Sequence, residues 1–430
     1  MPKKKEAPAS PFVPEKEQPY PIPENWCWIH LLDSFENRTD SKKKVQSRTY
    51  IENGELAVVD QGQGLIGGYT DDENMAYSGK LPVIIFGDHT RCVKYIDFPF
   101  AQGADGVKVL LPKPFYDAQA FYFALQSIDI PNMGYRRHYP LFPQFCIPLP
   151  PLPEQQRIIS RIESLFAKLD EAKEKAQAVV DGFEPRKSAI LHKAFTGELT
   201  ERWRKEHRVE LKDWKEKEIG KIAFVTKLAG FEYTKNIAPN IAESGIPLFK
   251  GKNVQKGNVV LEFESYIPEN VSDELPRSQL RRKCLLTPYV GTIGNIAIFD
   301  GSFKAHLGSN VGKIEINSDT FEEYVLYYLR SDFGYRELTK QKKATAQESI
   351  SIQAIREVIV KIPTLFEQQE IVHIVDSLLD KERQAKSAAE AVLAQIDAMK
   401  KAILARAFRG ELGTNHPAEE WSGALLKTIL

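Results

Sequence analysis

Two long stretches of the chain carry apolar residues at alternating steps of four and three positions. In the first stretch these residues are Ile158, Ile162, Leu165, Leu169, Ala172, Ala176 and Val179. In the second they are Ile371, Val375, Leu378, Ala385, Ala389, Val392 and Ile396, in the same register except that Glu382 interrupts it. A 3.5-residue period is narrower than the face of an ordinary core helix and is typical of helices that pair along a seam. The pattern predicts long helices over 153–200 and 363–412 that pair as a coiled coil within the chain.

The two stretches are copies of each other. Residues 154–199 align without a gap with residues 367–412, and 21 of the 46 aligned pairs are identical. Each copy begins with Glu-Gln-Gln and ends with Ala-Phe-(Thr/Arg)-Gly-Glu-Leu. Identity at this level indicates an internal duplication. We expect Gly197 and Gly410 to end their helices in the left-handed conformation, which glycine adopts at least cost.

The copies differ where the first contains Gly182 and Pro185. Proline lacks the backbone donor that a continuous helix needs, and glycine weakens a helix interior. At the aligned positions the second copy has Gln395 and Ala398, which continue a helix. The sequence therefore predicts a kink near 182–185 in the first helix only.

The segments 21–152 and 211–362 differ from the helices in pattern. They contain short β-branched and aromatic runs separated by Gly, Pro, Asn and Asp, which is typical of strands and turns. We interpret them as two mostly β domains of an α+β fold in pseudo-twofold arrangement. Residues 1–20, rich in Pro and charge, are expected to form a disordered leader, and 201–210 a linker.

The C-terminal residues 413–430 repeat the start of a domain. Trp214 is followed by Ile219 and Ile222, and Trp421 is followed at the same spacing by Leu426 and Ile429. We therefore expect this tail to pack back toward the first domain.

Composition places the chain among globular proteins without favouring one partner. Hydrophobic residues make up 42% of the chain, charged residues 27%, and the formal net charge is zero. No run of about 18 apolar residues is present, so no membrane span is expected. The four cysteines are far apart and form no CxxC pair, which favours a reduced, cytoplasmic protein and gives no sign of a metal site.

Motifs for catalysis are missing from the sequence. There is no phosphate-binding GxxxxGK[ST] loop, no HExxH zinc motif, no GxSxG elbow and no GxGxxG entering a helix. Asp88 and His89 are adjacent, so on a strand they would face opposite sides, which disfavours an acid–base pair. We expect a protein that is not an enzyme, and a single-chain methyltransferase or nuclease is disfavoured.

Basic residues beside aromatic or small polar residues recur in both β segments. Such side chains neutralise phosphates and read base edges, although any one cluster alone is more often solvated surface. The candidates in the first segment are His89, Thr90, Arg91, Lys94, Tyr135, Arg136, Arg137 and His138. Those in the second are Lys250, Lys252, Asn253, Lys340, Lys342, Lys343, Thr345 and Gln347.

The arrangement resembles the specificity subunit of type I restriction-modification systems. The resemblance rests on the Pro-rich entry to Glu-Gln-Gln, the heptad helix and the Ala-Phe-(Thr/Arg)-Gly-Glu-Leu ending, each present twice, together with GDHTR (87–91) and GTIGNIAI (291–298). It implies two target-recognition domains in opposite orientation, joined by two conserved antiparallel helices that act as a ruler. Each domain would read one half of a bipartite double-stranded DNA site.

The same resemblance implies which partners supply the chemistry. Two modification methyltransferase subunits would bind S-adenosylmethionine and methylate adenine, and restriction-translocase subunits would use ATP and Mg²⁺, so this chain would bind no cofactor itself. The alternative from the residues alone is a coiled-coil assembly scaffold whose β domains bind protein or glycan. DNA binding, or its absence, discriminates the two hypotheses.

Overall fold

The structure, a computed structural model, describes residues 10–429 except residues 105, 256, 318 and 341–347. The chain divides into two compact units. Unit 1 consists of residues 1–177 and 391–430, and unit 2 consists of residues 178–390. Each unit therefore contains one β segment together with part of both helical repeats.

Unit 1 is built on short strands with a buried centre. Its strands are β1 (Cys27–His30), β2 (Phe35–Asn37), β3 (Leu56–Val59), β4 (Gly68–Thr70), β5 (Val83–Gly87), β6 (Val93–Ile96), β7 (Phe100–Gln102), β8 (Val107–Pro112) and β9 (Cys146–Leu149). They form sheets in the orders β2-β8-β5-β6 and β4-β3-β7, and a β1-β9 pair. All of β5 is buried, as expected for a run of β-branched and aromatic residues in an interior strand.

Unit 2 is built in the same way. Its strands are β10 (Lys215–Glu218), β11 (Ala223–Lys227), β12 (Ile246–Phe249), β13 (Val254–Gln255), β14 (Asn258–Val259), β15 (Tyr266–Ile267), β16 (Gln279–Leu280), β17 (Cys284–Pro288), β18 (Ala297–Phe299), β19 (Ala305–Leu307), β20 (Val311–Ile316) and β21 (Ile359–Ile362). They form sheets in the orders β11-β20-β17-β18 and β15-β12-β19-β16, and pairs β10-β21 and β13-β14.

The two units share one topology although their β segments differ in sequence. β3 pairs in parallel with β7 in unit 1, and β12 pairs in parallel with β19 in unit 2. The backbone N–H of Asp88 donates to the carbonyl of Gly106 at 2.6 Å, and Tyr289 donates in the same way to Asn310 at 3.1 Å. Gly106 and Asn310 both have positive φ, at 76° and 63°, a region that glycine and asparagine tolerate best.

Helices connect and cover these sheets. In chain order they are α1 (Ala118–Ser127), α2 (Leu152–Asp181), α3 (Phe183–Phe195), α4 (Glu201–His207), α5 (Ile219–Ile222), α6 (Gly230–Glu232), α7 (Glu269–Asp273), α8 (Glu322–Arg330), α9 (Asp332–Thr339), α10 (Ile352–Arg356), α11 (Leu365–Ala407) and α12 (Ser422–Ile429). None of the helices in the described part of the chain is long and apolar enough to cross a membrane.

Parts of the two repeats pair inside unit 1. Ile158 and Ile162 of α2 share a hydrophobic core with Leu404 of α11. Further along α2, the Nζ of Lys400 lies 2.6 Å from an Oδ1 of Asp170. Contacts further along α2 therefore involve earlier residues of α11, so the two segments run antiparallel.

Unit 2 contains the matching pairing of α3 with the first half of α11. Leu191 shares a core with Val375, and the Nε of Arg186 lies 2.6 Å from the Oε2 of Glu382. These segments also run antiparallel, since Thr200, beyond α3, reaches Glu367 at the start of α11.

The first long helix is interrupted at Gly182, within the interval that the sequence indicates. α2 ends at Asp181 and α3 begins at Phe183. Pro185 has no N–H for the carbonyl of Asp181, so one bond of the regular hydrogen-bond series is missing there, and the series resumes where the N–H of Arg186 donates to the carbonyl of Gly182 at 3.0 Å. The side chain of Arg186 turns back and donates to the carbonyl of Val179 at 2.8 Å.

Most predicted seam residues are covered, and two are not. Ile158, Ile162, Ala176, Ile371, Val375, Ala389 and Ile396 are buried, and Leu165, Leu169, Ala172, Val179 and Leu378 are half-buried. Ala385 and Val392 are exposed, so the prediction was wrong at these positions.

The error at Ala385 and Val392 comes from a shift of one residue along α11. Leu379 is more deeply buried than Leu378, and the covered positions after it include Lys386 rather than Ala385. The covered positions Val375, Leu379, Glu382, Lys386, Ala389, Leu393 and Ile396 keep a seven-residue period, so only every second seam position is displaced by one residue. The ammonium of Lys386 lies 4.9 Å from the Phe183 ring centroid, which lets a charged side chain occupy the seam.

The closing motifs end their helices as predicted. Gly197 has a φ of 83° and follows α3, and Gly410 has a φ of 74° and follows α11. A Cβ at Gly197 would lie 2.6 Å from a side-chain atom of Leu211, so space as well as conformation favours glycine.

The glutamate of each Glu-Gln-Gln triplet is fully buried at a junction between the β domain and the helix. In unit 1, Glu154 accepts hydrogen bonds from Trp26 Nε1 at 2.7 Å and Asn415 Nδ2 at 2.9 Å. Thr414 Oγ1 lies 3.3 Å from its other oxygen. All three donors are neutral.

The unit 2 junction contains a cation. Glu367 accepts from Trp214 Nε1 at 3.0 Å, Thr200 Oγ1 at 2.9 Å and Arg204 Nη1 at 2.8 Å. Arg204 belongs to α4, so residues 201–207, predicted as a linker, form a helix instead. The physical reason is this buried ion pair, which holds α4 against the start of α11.

The glutamine that follows each buried glutamate accepts a hydrogen bond from the N-terminus of a second helix. Gln155 Oε1 accepts the backbone N–H of Asp117, the N-cap of α1, at 2.7 Å. Gln368 Oε1 accepts the N–H of Phe321, the N-cap of α8, at 2.9 Å. The repeated Glu-Gln pair therefore joins each β domain to the start of its long helix by hydrogen bonds.

Residues 10–20 and the C-terminal tail pack together in unit 1. The ring of Phe12 stacks on Trp421 with centroids 5.5 Å apart, and the backbone N–H of Val13 donates to Trp28. The prediction of a disordered leader was therefore wrong for residues 10–20, because Phe12, Val13 and Tyr20 supply apolar contacts among the prolines. Residues 1–9 lie outside the described residues.

The tail 413–430, for which we expected packing toward the first domain, lies in unit 1. Trp421 Nε1 donates to the carbonyl of Trp26 at 3.2 Å. Arg157 of α2 makes a bidentate pair with Glu419, with N–O distances of 2.8 and 2.9 Å. Through these hydrogen bonds Arg157 holds the pKa of Glu419 below its usual range.

Candidate nucleic-acid interface

Two loops of unit 1 that carry predicted DNA-binding residues are joined by hydrogen bonds. The loop 87–91 follows β5, and the loop 132–138 follows α1. Arg91 has a φ of 61° and donates from Nη1 to the carbonyl of Ile130 at 2.8 Å. Its side chain therefore ties the first loop to the segment that leads into the second.

His138 anchors the second loop and was wrongly predicted as a base reader. Its side chain is fully buried, with Nδ1 2.8 Å from the carbonyl of Asp88. Its Nε2 accepts the backbone N–H of Met133 at 3.2 Å, so Nδ1 carries the proton. A neutral imidazole that spans the loop in this way has no polar atom left for DNA.

Tyr135 projects from the loop that His138 holds. Its side chain is 84% exposed. Its ring stacks on His89, with centroids 4.7 Å apart and planes at 14°, and His89 Nδ1 lies 3.0 Å from the Tyr135 carbonyl. The structure thus brings His89 and Tyr135 together as a pre-ordered, solvent-facing aromatic pair.

Two arginines follow directly after this aromatic pair. Arg136 and Arg137 are exposed, and neither has a carboxylate partner among the residues that the structure describes. Exposed guanidinium groups without counter-charges are suited to phosphate oxygens. Thr90, also exposed, donates to the carbonyl of Gln61 at 2.7 Å and braces the neighbouring loop.

Lys94 does not belong to this surface. Only 4% of it is exposed, and its Nζ donates to the carbonyl of Asp60 at 2.7 Å. The same Nζ lies 3.6 Å from the Asp60 carboxylate. The prediction of a DNA contact at Lys94 was therefore wrong, because its ammonium group is buried and interacts with Asp60 inside the domain.

The predicted cluster 250–253 of unit 2 is largely structural. Asn253 is 1% exposed, and its amide donates to the carbonyls of Val260 and Glu262, both at 2.9 Å. Asn253 was therefore wrongly predicted as a DNA contact. Lys250 is half-buried and donates to Ser265 at 2.8 Å, while Lys252 is exposed and paired with Glu264.

Of the other predicted DNA-binding residues of unit 2, only Lys340 lies among the described residues. Lys340, at the end of α9, is paired with Glu337. Lys342, Lys343, Thr345 and Gln347 lie outside the described residues. Arg281 and Arg282, in a further basic run, are paired with Asp273 and Glu315 respectively.

A contact that the sequence did not single out lies at the matching edge of unit 2. The ammonium of Lys227 lies 4.4 Å from the ring centroid of Tyr289. Gly291 donates to the carbonyl of Glu348 at 2.9 Å, which places the loop 289–295 beside residues 348–350. Lys227 stands alone at the end of β11, so the sequence showed no cluster of basic residues there. Only the segment TPYVGTIG (287–294) could have indicated Tyr289.

Phe231 of unit 2 is also more prominent than its sequence context indicates. It lies in α6, and its side chain is 73% exposed. Among the described residues, no group of three or more His, Cys, Asp or Glu side chains is arranged to hold a metal ion.

Comparison with known proteins gives one consistent result. A family model described as type I restriction modification DNA specificity domain matches residues 211–391. The EcoBI type I restriction enzyme specificity subunit of Escherichia coli is 24% identical over 407 residues, which cover 90% of this chain and 83% of that protein. The EcoKI specificity subunit of Escherichia coli K12 is 28% identical over 284 residues, 64% of this chain and 59% of that protein.

A solved structure shares the fold over most of the chain. The HsdS subunit from Thermoanaerobacter tengcongensis superposes with a TM-score of 0.62 at 17% identity, covering 92% of this chain and all of that one. Its likeness shows that the arrangement of two mixed β domains and long helices is a known architecture.

Proposed function

We propose that this chain, which belongs to the family of type I restriction-modification DNA specificity subunits, reads one half of a bipartite DNA target with each of its two β domains. The chain is the noncatalytic, DNA-specificity component of its system. The comparisons do not favour the alternative scaffold whose β domains bind protein or glycan.

The observation that carries the unit 1 assignment is the loop 132–138. It combines a ring that is 84% exposed with two arginines that have no carboxylate partner among the described residues, on a backbone anchored by a buried histidine. Arginine contacts to phosphates fix the register on a duplex, and side chains that reach base edges or stack on bases supply sequence information. We assign Arg136 and Arg137 to phosphates and the pair of Tyr135 and His89 to the bases.

In unit 2 we assign the reading surface to the loop 289–295 and its neighbours. Lys227 and Tyr289 occupy the edge that corresponds to the end of β5 in unit 1, since Tyr289 and Asp88 make equivalent backbone bonds. A shared topology places functional loops at equivalent strand ends even where sequences differ.

The remaining partners follow from the family. DNA and the other restriction-modification subunits are partners of this chain. We propose that two modification methyltransferase subunits and restriction-translocase subunits assemble on it, and that S-adenosylmethionine, ATP and Mg²⁺ bind to those subunits.

We also propose a cytoplasmic location. The four cysteines are free. Burial raises the pKa of Cys27 to about 11 and that of Cys284 to about 12, so these thiols stay protonated near neutral pH. Free, unreactive thiols suit a reducing compartment.

Replacing Tyr135 tests the unit 1 reader. In the complex with its modification subunits, Tyr135→Ala should lower affinity for the target by roughly 5- to 100-fold, since a well-matched contact to a base edge contributes about 1–3 kcal/mol. Sequences selected by the variant complex from a randomised DNA library should lose preference in one half of the target and keep it in the other.

Tyr135→Phe is the matched control because it keeps the ring and removes only the hydroxyl. It should retain most of the affinity if the ring rather than the hydroxyl makes the main contact to the base. Unchanged affinity and unchanged preference in both halves for Tyr135→Ala would remove Tyr135 from the interface.

A further inference from the structure

Unit 1 contains a cavity that is separate from the loops assigned to DNA. Its volume is about 710 Å³, and its lining comes from β2 and the segment that follows it, the segment before β5, the end of β7, and the segment that joins β8 to α1. Sites for small organic ligands usually have volumes of about 300–1,000 Å³. No residue of the loops 87–91 and 132–138 lines this cavity, so the proposed reading of DNA does not account for it.

Two polar atoms in the wall of the cavity lack hydrogen-bond partners. They are the Nε2 of Gln102 and the hydroxyl of Tyr77. Gln102 is 3% exposed, and its Oε1 already accepts the backbone N–H of Asp40 at 3.2 Å, which fixes the amide and leaves Nε2 free to donate. Tyr77 is held by its ring, which stacks on Phe100 with centroids 5.1 Å apart.

Unsatisfied buried polar atoms are uncommon because each costs about 1–3 kcal/mol. Among the residues that the structure describes, four buried side-chain atoms have no partner, and this cavity contains two of them. Burial raises the pKa of Tyr77, so its hydroxyl keeps its proton and is a donor. The wall therefore holds two donors without a protein acceptor, and an occupant with acceptor atoms would satisfy them.

The charge of the lining favours an anion. Arg38, Lys43, Lys80 and Lys113 line the cavity together with two carboxylates. Glu36, one of these carboxylates, is paired with Arg38. In the described part of the chain neither Lys80 nor Lys113 has a carboxylate partner, so these ammonium groups remain for an incoming charge.

Part of the remaining lining is apolar and includes flat surfaces. Met75, Leu81, Leu111 and Tyr116 contribute to it. A ring system could lie against these side chains while its acceptor atoms reach Gln102 and Tyr77. Side-chain amides are well matched to the edges of nucleobases.

We propose that this cavity binds a nucleoside phosphate, with the base accepting hydrogen bonds from Gln102 and Tyr77 and the phosphate lying among Lys43, Lys80 and Lys113. The chemistry is the same for a free nucleotide and for a nucleotide that is part of DNA. Binding here is a second recognition activity of unit 1, independent of the loops that face the DNA target.

Equilibrium dialysis of the full-length chain with radiolabelled AMP tests this site. AMP should bind saturably at one site per chain, and inorganic phosphate should displace it only weakly because it makes no base contact. Lys80→Gln combined with Lys113→Gln should weaken AMP binding at least tenfold. Tyr77→Phe should weaken it several-fold without lowering the melting temperature, because the hydroxyl has no partner to lose in the free protein.

Lys42→Gln combined with Lys44→Gln is the matched control. It removes the same charge from the same region, and neither residue lines the cavity, so AMP affinity should stay within about twofold of the wild type. Competition between AMP and duplex DNA would identify a nucleotide of DNA as the occupant, and lack of competition a free nucleotide.

Two results would overturn the proposal. One is the absence of saturable AMP binding at millimolar concentration. The other is AMP binding that the Lys80/Lys113 and Tyr77 variants leave unchanged. Neither result bears on the DNA reader, which the Tyr135 and Arg136/Arg137 variants test separately.

Discussion

Replacing Glu367 with alanine is expected to destabilise unit 2 by about 3–5 kcal/mol, because it leaves the guanidinium of Arg204 buried without its carboxylate. Glu367 is fully buried and Arg204 is 7% exposed, so water cannot take over this role. The same change removes the acceptor for Trp214 and Thr200. Hydrogen exchange in β10, β21 and α4 should accelerate, while peptides of unit 1 serve as an internal reference.

Glutamine variants separate the charge from the hydrogen bonds. Glu367→Gln keeps the shape of the side chain but leaves Arg204 without a counter-charge, whereas Glu154 has only neutral donors from Trp26, Asn415 and Thr414. Glu154→Gln should therefore be clearly less damaging to unit 1 than Glu367→Gln is to unit 2. Equal losses in the two units would show that the ion pair with Arg204 contributes nothing beyond the shared hydrogen bonds.

Replacing Arg136 and Arg137 together with glutamine is expected to weaken DNA binding by the assembled complex at all sequences. Each phosphate contact contributes about 0.9 to the slope of log K against log salt, so losing two should flatten that slope by about 2. Between 50 and 200 mM salt the wild type should then lose about tenfold more affinity than the variant. Fluorescence anisotropy of a labelled duplex across this salt range measures both quantities.

Arg281→Gln combined with Arg282→Gln is the matched control for that experiment. These arginines are also adjacent and exposed, but each is paired with a carboxylate of its own domain. Their removal should leave the salt slope nearly unchanged. If the two double variants behaved alike, net charge rather than a specific phosphate contact would explain the effect of Arg136 and Arg137.

The helical frame could be predicted because its signals are local. A seven-residue apolar period and a gapless duplication are visible without knowledge of the rest of the fold. Gly197 and Gly410 indicate the helix ends because glycine adopts the left-handed conformation most easily. The seam was misplaced at Ala385 since a lysine in the seam looks like a surface residue until Phe183 is seen beside it. At Val392 two apolar residues, Val392 and Leu393, are adjacent, and the pattern selected the exposed one.

The residues of the candidate interface were harder to predict because burial of polar groups is decided by distant parts of the chain. Lys94, His138 and Asn253 have the composition of a DNA-binding loop, yet each donates to carbonyls of its own domain. Sequence alone shows the donors and not the acceptors that meet them. Glu154 and Glu367 were noticed only as markers of the repeat, and their burial became visible only in three dimensions.

The helical repeats resemble each other in sequence, whereas the two β domains share a topology without an obvious likeness in sequence. The residues that each element must satisfy explain this difference. Helix positions such as Glu154 and Glu367 face equivalent buried junctions, so equivalent residues satisfy them. The loops after β5 and β17 begin from equivalent backbone bonds but present different side chains. We propose that this difference is what lets the two domains read different DNA sequences.

Sequencing methylated adenines in the DNA of cells that express this chain with its modification subunits tests the central claim most directly. We expect one bipartite motif, with two specific parts separated by a fixed number of unspecified bases and with methylation that disappears when this chain is removed. A continuous motif, or methylation that persists without this chain, would contradict the proposal that its two domains read the two halves of the target.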